Sequence, residues 1–298
     1  MKVAIILNGI SRKKIFFYRQ ILPALAEKFD VAVWETQYDT HARELAARAT
    51  MDHFDFVLAA GGDGTLHHVV NGVMTCTEPT PTIGIIPLGT GNDFAKMCGI
   101  TADAHTIIKL LNHNLPASTD IGKIECHNDK GERITEHFIN VCSVGLGPEV
   151  VKRLQGKSRV LGPWLTYQIA VVTAFFTHRP QELSIDAHLW KWKGKARVFA
   201  IANGQSFGSS MYIAPDARPD DGIFSTFLAG NLHWLAFLKH LSRIKTKTKI
   251  QDSDISYNVC NSVSLTSAVP TWIEAEGELV GMLPAQIDLL PQRIKFLR

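Results

Sequence analysis

The chain has 298 residues, of which 46% are hydrophobic and 20% are charged, and its mean hydropathy is +0.04. This composition is typical of globular proteins and excludes disordered, collagen-like and largely membrane-embedded chains. At about 150 residues per domain, the length predicts about two domains.

The net charge of +3 conceals a difference between the two halves of the chain. Residues 1–120 contain 10 Lys and Arg against 12 Asp and Glu, whereas residues 121–298 contain 21 against 16. Within residues 151–200 the numbers are nine against two. If the protein meets an anionic membrane, we expect the second half to make the contact.

The apolar runs are too short to cross a bilayer, which takes about 20 residues. The run at 164–176 contains Gln168, and the run at 223–238 is broken by Gly230. The apolar start of the chain stops at Asn8, too early for a signal peptide, so we expect a cytoplasmic protein. The five cysteines are widely spaced without a C-x-x-C pair, which predicts buried thiols rather than disulfides or a zinc site.

The first 120 residues alternate apolar, strand-like runs with helical segments. Continuous apolar strands separated by helices are typical of a parallel sheet covered on both faces. This half is predicted to be a doubly wound α/β domain. The predicted strands are 3–7, 31–34, 56–60 and 83–87, and the predicted helices are 15–28, 40–50, 64–75 and 92–111.

From residue 121 to about 290, short β-rich runs follow one another with Gly, Pro or Asn breaks between them. This spacing predicts antiparallel sheets, and we expect a β-sandwich with two helical inserts near 149–178 and 231–244. The β-rich runs are 137–145, 182–192, 196–204, 222–230, 254–260, 262–267, 271–277 and 286–290.

The strongest chemical signal is GGDGT at 61–65, which follows an apolar run and opens a helical segment. Glycines at a strand-to-helix turn let the backbone approach an anion, and the start of a helix offers unpaired N–H groups. The pattern predicts a phosphate-binding loop. The alternative is an ordinary turn in which Asp63 caps the helix.

A second glycine-rich turn follows the next predicted strand and offers Thr90, Asn92 and Asp93 for hydrogen bonds. Loops at the carboxyl ends of neighbouring parallel strands face each other, so both turns are predicted to form one crevice. The chain has no G-x-x-x-x-G-K-[ST] and no G-x-G-x-x-G after its first strand. A P-loop is therefore excluded, and a dinucleotide Rossmann site is disfavoured.

Six segments in order resemble the motifs of the diacylglycerol kinase catalytic-domain family, which includes bacterial soluble lipid kinases and the sphingosine and ceramide kinases. GGDGT alone is shared with NAD kinases and loosely with phosphofructokinases, but the ordered set is more specific and covers nearly the whole chain. The segments are GGDGT (61–65), PLGTGNDFAK (87–96), STDIGKI (118–124), FINVCSVGLGPEVV (138–151), NGQSFGSSMYIAPDARPDDGIF (203–224) and EAEGELVG (274–281).

The resemblance implies an ATP-dependent lipid kinase of phospholipid metabolism that phosphorylates diacylglycerol to phosphatidic acid. It implies a NAD-kinase-like, Rossmann-like first domain over 1–120, to which a final strand at about 291–298 returns, and a lipid-substrate domain over 121–290. The residues that match the ATP-binding positions of the family are Asn8, Thr36, Gly61, Gly62, Asp63, Gly64, Thr65, Leu66, His67, Gly89, Thr90, Asn92 and Asp93.

The resemblance also implies two Mg²⁺ sites and a catalytic base. Asp63, Asp93 and Asp120 match the aspartates that organise catalytic Mg²⁺ and its waters. A structural Mg²⁺ site of the family corresponds to the side chain of Asp221 with the backbone oxygens of Arg218 and Ile223, although DDG is also a common turn sequence.

The base segment of the family, D-G-E, corresponds to Glu276–Glu278, with Glu278 at the position of the base. Residues two apart on a strand share a face, so we expect the carboxylates of Glu276 and Glu278 to lie together. Phosphoryl transfer needs a carboxylate that takes the proton of the acceptor hydroxyl.

Two departures from the family weaken the match. The first loop, Asn8–Arg12, lacks the usual Pro and final Gly, and Glu276 replaces the aspartate of D-G-E. Two alternatives therefore stay open: a kinase of a soluble acceptor, as in NAD kinases, or a nucleotide-binding relative with weakened catalysis.

The twelve histidines show no metal-ligand spacing, and we interpret His67 as a loop residue near the phosphates.

Two segments of the second half are candidates for contact with lipid. In the predicted hairpin at 188–199, Trp190 and Trp192 alternate with Lys191 and Lys193, which suits a membrane interface or, equally, a solvated face over a core that holds the tryptophans. We expect peripheral contact with anionic membrane and no nucleic-acid partner, and homodimerisation stays open.

The second candidate segment, 231–250, combines a leucine stripe with a run of cations, although such a stripe is more often core packing. The leucines are Leu232, Leu235, Leu238 and Leu241, and the cations are Lys239, Arg243, Lys245, Lys247 and Lys249.

Overall fold

The structure, a computed structural model, describes residues 1–77, 80–113, 116–155 and 162–298. The chain forms two compact units. Unit 1 comprises Met1–Asp120 and Pro291–Arg298, and unit 2 comprises Ile121–Leu290.

Unit 1 is built on a parallel sheet in the order β2-β1-β3-β4, with residues near the end of the chain added beside β4. Residues Val3–Leu7 and Phe56–Gly61 are buried along their whole length, as strands covered on both faces must be. The predicted doubly wound α/β domain is confirmed. The strands are β1 (Lys2–Leu7), β2 (Asp30–Glu35), β3 (Phe56–Gly61) and β4 (Thr82–Pro87).

The helices of unit 1 connect these parallel strands. The segment predicted as one helix at 92–111 forms two helices, because Gly99 adopts a left-handed backbone (φ 68°), which commonly ends a helix. The carboxylate of Asp103 then accepts the N–H of Thr106 (2.8 Å) at the start of the next helix. The helices are α1 (Lys14–Phe16), a π-helical turn (Phe17–Ile21), α2 (Leu22–Ala26), α3 (His41–Met51), α4 (Asp63–Met74), α5 (Asp93–Met97) and α6 (Ala104–His113).

The order of the sheet places a switch point at β1, because β2 lies on one side of β1 and β3 on the other. Leu7, the last residue of β1, pairs with Glu35 in β2 and with Ala60 in β3. Ligands of open α/β sheets bind at the carboxyl ends of strands where the order reverses. The glycine-rich loop after β3 lies at this position.

Unit 2 is dominated by antiparallel pairs in the order β12-β11-β10-β7-β14-β15, and β15 also pairs with β13 and β5. The predicted β-sandwich domain is confirmed. The strands are β5 (Ala117–His127), β6 (Arg133–Phe138), β7 (Val141–Gly145), β8 (Gln181–Asp186), β9 (Lys191–Ala196), β10 (Val198–Ala202), β11 (Phe224–Ala229), β12 (Ile255–Cys260), β13 (Ser262–Ser267), β14 (Trp272–Ala275) and β15 (Glu278–Phe296).

The main core of unit 2 contains Phe138, Phe199 and Phe224, and the rings of Phe138 and Phe224 stack with centroids 5.5 Å apart. Cys126 and Cys260 belong to the same core, and burial raises the pKa of these thiols to about 11 and about 12. All five cysteines are free.

In the described part of unit 2, three helices accompany the strands: α7 (Leu146–Leu154), α8 (Pro163–Thr177) and α9 (Trp234–Arg243). The predicted insert at 149–178 is thus two helices, and residues 156–161 within it lie outside the described residues. Phe175 of α8 and Phe237 of α9 stack with centroids 3.9 Å apart. Among the residues that the structure describes, no helix is long and apolar enough to cross a membrane.

Candidate functional site

The first glycine-rich loop joins the buried strand β3 to helix α4. Gly62 is the last residue before the helix, and its carbonyl accepts the N–H of Leu66 (3.1 Å) to close the first turn. The leading N–H groups of a helix have no partner within it and, with the helix dipole, attract anions. The loop therefore has the geometry of a phosphate site, while the side chain of Leu66 lies in the core.

The second glycine-rich loop packs directly against the first. The carbonyl of Gly61 accepts the N–H groups of Leu88 (2.9 Å) and Gly89 (3.1 Å). A Cβ atom on Gly89 would lie 2.4 Å from the Cα of Gly62, closer than any real contact. Glycine is required here because two backbones meet.

Asp63 connects the two loops through its carboxylate. One oxygen accepts the N–H of Asp93 (3.1 Å) and the other accepts the N–H of Phe94 (3.2 Å), so Asp63 caps α5 rather than its own helix. A carboxylate at a helix start is stabilised by these donors and by the helix dipole. The two loops that were predicted to form one crevice are thus joined by a side chain that the resemblance assigns to metal binding.

Asn8 and Thr36 tie the loop after β1 to its neighbours. The amide of Asn8 donates to the hydroxyl of Thr65 (3.2 Å), and the hydroxyl of Thr36 accepts the N–H of Gly9 (3.1 Å). The side-chain oxygen of Asn8 also accepts the N–H of Ile10 (3.1 Å), which closes this turn without the proline of the family.

Asn92 occupies the left-handed conformation just before α5, and its amide donates to the carbonyl of Gly89 (2.9 Å). Its side-chain oxygen is buried without a hydrogen-bond partner, although buried acceptors are normally paired. Asp93 is also buried, whereas Thr90 is exposed. The second loop therefore presents an acceptor that a ligand, a hydrated ion or a water molecule would satisfy.

The interpretation of His67 as a loop residue is wrong, because it lies inside α4 with its side chain buried and its carbonyl bonded to the amide of Asn71 (2.9 Å). The helix begins at Asp63, one residue before the start of the predicted helix at 64–75, which itself contains residue 67. Next to it, the Nε2 atom of His68 is buried without a hydrogen bond, 3.8 Å from the Asp39 carboxylate. Burial, followed by the nearby His67, lowers the pKa of His68 to about 4.

Asp120 is fully buried where β5 begins, and its carboxylate accepts the N–H of Gln292 (2.6 Å). Within the described ranges, the carboxylates of Asp63, Asp93 and Asp120 do not converge to within 4.8 Å of one another. Mg²⁺ commonly binds through one or two carboxylates, waters and substrate phosphates, so a Mg²⁺ site that uses these aspartates stays a prediction.

The expectation that Glu276 and Glu278 share a strand face is wrong. Glu276 and Gly277 have positive φ angles (57° and 89°) and form the two-residue turn between β14 and β15, in which Ala275 pairs with Glu278. The carboxylate of Glu276 accepts the N–H groups of Ile139 (2.7 Å) and Asn140 (2.6 Å). Glu276 therefore anchors the turn, and Glu278 begins the next strand, half-buried.

Sequence reasoning missed Glu274, a buried carboxylate in β14. It accepts the hydroxyl of Ser143 with one oxygen and the N–H of Gly277 (3.1 Å) with the other. Buried carboxylates are retained where they are fully hydrogen-bonded. The available signal was a glutamate between Ile273 and Ala275, inside a strand that is otherwise apolar.

Asp221 lies in an exposed turn, where its carboxylate accepts the N–H of Ile223 (3.3 Å) and Gly222 has a φ of 76°. This bond is that of an ordinary Asx turn. The Mg²⁺ site with Arg218 and Ile223 stays a prediction.

The two candidate lipid segments differ in which apolar side chains they expose. In the β8–β9 hairpin, Trp190 and Trp192 pack against the core, and the indole of Trp190 donates to the carbonyl of Val259 (2.9 Å). The alternative reading, a solvated hairpin face over the core, is the observed one. In the second segment Leu232 is buried and Leu235 is exposed, whereas the side chains of Leu238 and Leu241 lie outside the described part.

Comparison with known proteins shows which family models and which relatives the chain matches. Residues 2–124 match the model "Diacylglycerol kinase catalytic domain", and residues 140–298 match "YegS C-terminal NAD kinase beta sandwich-like domain". A protein named diacylglycerol kinase from Bacillus subtilis (strain 168) is 30% identical over 300 residues, covering 98% of this chain and 95% of the relative. Another protein of that name, from Staphylococcus saprophyticus, is 28% identical over 306 residues, with 99% and 94% covered.

Solved structures show the same fold. A diacylglycerol kinase from Bacillus anthracis str. Sterne superposes with a TM-score of 0.72 at 20% identity, covering 99% of this chain and 96% of that one. A second crystal structure from the same organism superposes with a TM-score of 0.80 at 23% identity and the same coverage.

Proposed function

The chain belongs to the diacylglycerol kinase family and is a kinase, and from this premise we propose that it transfers the terminal phosphoryl group of ATP to the free hydroxyl of diacylglycerol. The product would be phosphatidic acid, a precursor of phospholipids. The observation that carries the proposal is the pair of glycine-rich loops joined by Asp63, in a chain that matches diacylglycerol kinases over nearly their full length.

The two loops supply what a triphosphate needs. The start of α4 offers N–H groups and a positive dipole end to phosphate oxygens. The contact between Gly62 and Gly89 fixes the loops before the nucleotide arrives. Catalysis of phosphoryl transfer depends mainly on such positioning and on charge stabilisation.

Mg²⁺ fits the donors of unit 1. Asp93 and Asp120 are buried carboxylates, and the side-chain oxygen of Asn92 is buried without a partner. Hard cations prefer oxygen ligands of this kind. When bound with the nucleotide, Mg²⁺ would neutralise charge that develops on the phosphates.

Glu278 is the proposed general base. Glu278 follows a turn that two carboxylates hold in place. The carboxylate of Glu276 accepts the N–H groups of Ile139 and Asn140. The carboxylate of Glu274 accepts the N–H of Gly277. A carboxylate held in this way can accept the proton of an acceptor hydroxyl as the phosphoryl group is transferred. Replacement of the family aspartate by Glu276 is then a change in the anchor of the turn and not in the base.

The test is an assay of the purified full chain with labelled ATP against diacylglycerol, sphingoid bases and NAD, with Mg²⁺ and with a chelator. We expect labelled phosphatidic acid, lost when Mg²⁺ is removed. Glu278→Gln should lower kcat by about 10²–10⁴-fold and leave ATP binding intact, whereas Glu182→Gln, at an exposed strand position, should leave kcat unchanged.

Three other results of this assay would contradict the proposal, and each would indicate a different function or a different catalytic base. Phosphorylation of NAD alone would show a kinase of a soluble acceptor, and ATP binding without phosphorylation of any acceptor would show a relative with weakened catalysis. Turnover that survives in Glu278→Gln would show that another group is the base.

A further inference from the structure

Helix α8 of unit 2 has an unusual distribution of side chains. Residues 163–177 contain no charged residue, and Ala170, Val171, Ala174 and Phe175 are buried. The outward side carries large apolar side chains beside Thr173 and Thr177, because Leu165, Ile169 and Phe176 are 41%, 47% and 58% exposed. Surface helices of globular proteins normally place polar residues on the outer face.

The exposed apolar residues of α8 form a stripe. At 100° per residue, positions 165, 169 and 176 fall within about 40° of one another around the helix axis. Helix α9 packs beside α8 through Phe237 and Phe175, and it leaves Trp234 and Leu235 43% and 56% exposed. We call these five exposed side chains, Leu165, Ile169, Phe176, Trp234 and Leu235, the apolar face.

The two chain segments that contain α8 and α9 carry charges of one sign in the sequence. Residues 150–181 and 222–250, which contain both helices, include ten Lys and Arg and no Asp or Glu. Of the acidic residues near these ranges, Glu149 pairs with Lys152 (2.9 Å), Asp252 with His240 (2.7 Å) and Asp216 with Lys249 (2.7 Å), whereas Glu182, Asp220 and Asp221 border the ranges as exposed carboxylates.

From these observations, and resting on the proposed function, we propose that the apolar face docks unit 2 on a lipid bilayer that carries anionic headgroups. The five side chains enter the boundary between headgroups and acyl chains, and Lys239, Arg243 and Lys245 lie among the headgroups. Apolar burial and cationic attraction together are the two signals that stable, reversible attachment of an interfacial helix requires. A second protein chain would bury apolar residues equally well, but the excess of Lys and Arg over Asp and Glu in the segments that contain α8 and α9 favours an anionic surface.

This surface differs from the β8–β9 hairpin. There, the tryptophans pack against the core and the lysines of β9 are exposed. Leu189, at the tip of that hairpin, is 80% exposed and provides a matched control.

The test is sedimentation of the full chain with phosphatidylglycerol-containing vesicles and with phosphatidylcholine vesicles, in the absence of ATP and diacylglycerol. We expect binding to the anionic vesicles that weakens with salt. Ile169→Ser with Phe176→Ser should weaken it at least about tenfold, and Arg243→Gln should weaken it about fivefold. Leu189→Ser should bind like the unchanged protein.

Loss of binding in Leu189→Ser alone, or equal binding by the double variant, would overturn the docking surface. A change in oligomeric state of the double variant, measured by light scattering, with vesicle binding intact would identify the face as a protein interface instead. Kinase activity on a short-chain, water-dispersed diacylglycerol, measured separately, should be retained by the double variant. If that activity is absent from the unchanged protein while vesicle binding is present, the proposed function fails and the docking surface stands.

Discussion

Removal of the Asp63 carboxylate should destabilise unit 1 even when no nucleotide or metal is present. In Asp63→Ala the N–H groups of Asp93 and Phe94, which belong to buried residues, lose their acceptors. Hydrogen bonds to charged groups contribute about 1.5–3 kcal/mol each, so we expect the free energy of unfolding to fall by about 3 kcal/mol or more. At roughly 2–4 °C per kcal/mol, Tm should fall by roughly 10 °C.

The Asp63→Asn variant tests whether both oxygens of the Asp63 carboxylate are needed as hydrogen-bond acceptors or whether one is enough. Asparagine keeps one acceptor oxygen but directs its amide group at the second N–H, so this variant should lose a substantial part of the same stability. Asp52→Ala, which removes an exposed carboxylate 3.4 Å from Arg48, should change stability by no more than about 0.5 kcal/mol.

The assay is thermal unfolding by circular dichroism in buffer that contains a chelator and no ATP. If Asp63→Ala unfolds at the temperature of the unchanged protein, the carboxylate does not hold the two loops together. If the loss occurs only when Mg²⁺ is added, the role of Asp63 is metal binding alone.

Three further predictions concern single side chains. Gly89→Ala should weaken ATP binding at least about tenfold in calorimetry, since its Cβ would lie 2.4 Å from the Cα of Gly62 and force the loops apart; unchanged affinity would contradict this contact. Glu276→Ala should lower the free energy of unfolding by about 2 kcal/mol, whereas Glu276→Gln keeps an acceptor for both N–H groups and should be nearly neutral; equal melting of the two would contradict the anchoring role. The pKa of His68 is about 4 in the folded state and 6.5 unfolded, so the unfolded chain binds the proton first and stability should decrease by up to about 3 kcal/mol as pH falls from about 6.5 to 4. Urea denaturation of His68→Gln should show this decrease removed, and an unchanged pH dependence would contradict the assignment.

The fold could be predicted wherever the local pattern alone determines the element. The strands at 3–7 and 56–60 are recovered to within one residue because their apolar runs are continuous. The single helix predicted at 92–111 is wrong, because Gly99 ends the first of two helices and Asp103 caps the second. Both signals were present in the sequence.

In the candidate site, too, features that depend on local sequence could be predicted and features that depend on distant residues could not. The glycine loops could be predicted because the motif itself is local. The capping role of Asp63 could not, since its partners lie 30 and 31 residues away and are chosen by the packing of two loops. Glu276 likewise bonds to N–H groups 136 and 137 residues away, and no spacing rule reveals such a partner.

The return of the chain to unit 1 affects the order in which the protein can be completed during synthesis. Phe296 pairs with Ile83 at the edge of the parallel sheet and packs edge-on against Phe94, the second residue of α5, just after the second loop. At 5–20 residues per second, translation of residues 121–290 takes about 10–30 s, during which β4 is an open sheet edge. A chain interrupted anywhere in unit 2 would therefore lack the strand beside the second loop, so a finished nucleotide unit is expected only in molecules that also contain unit 2.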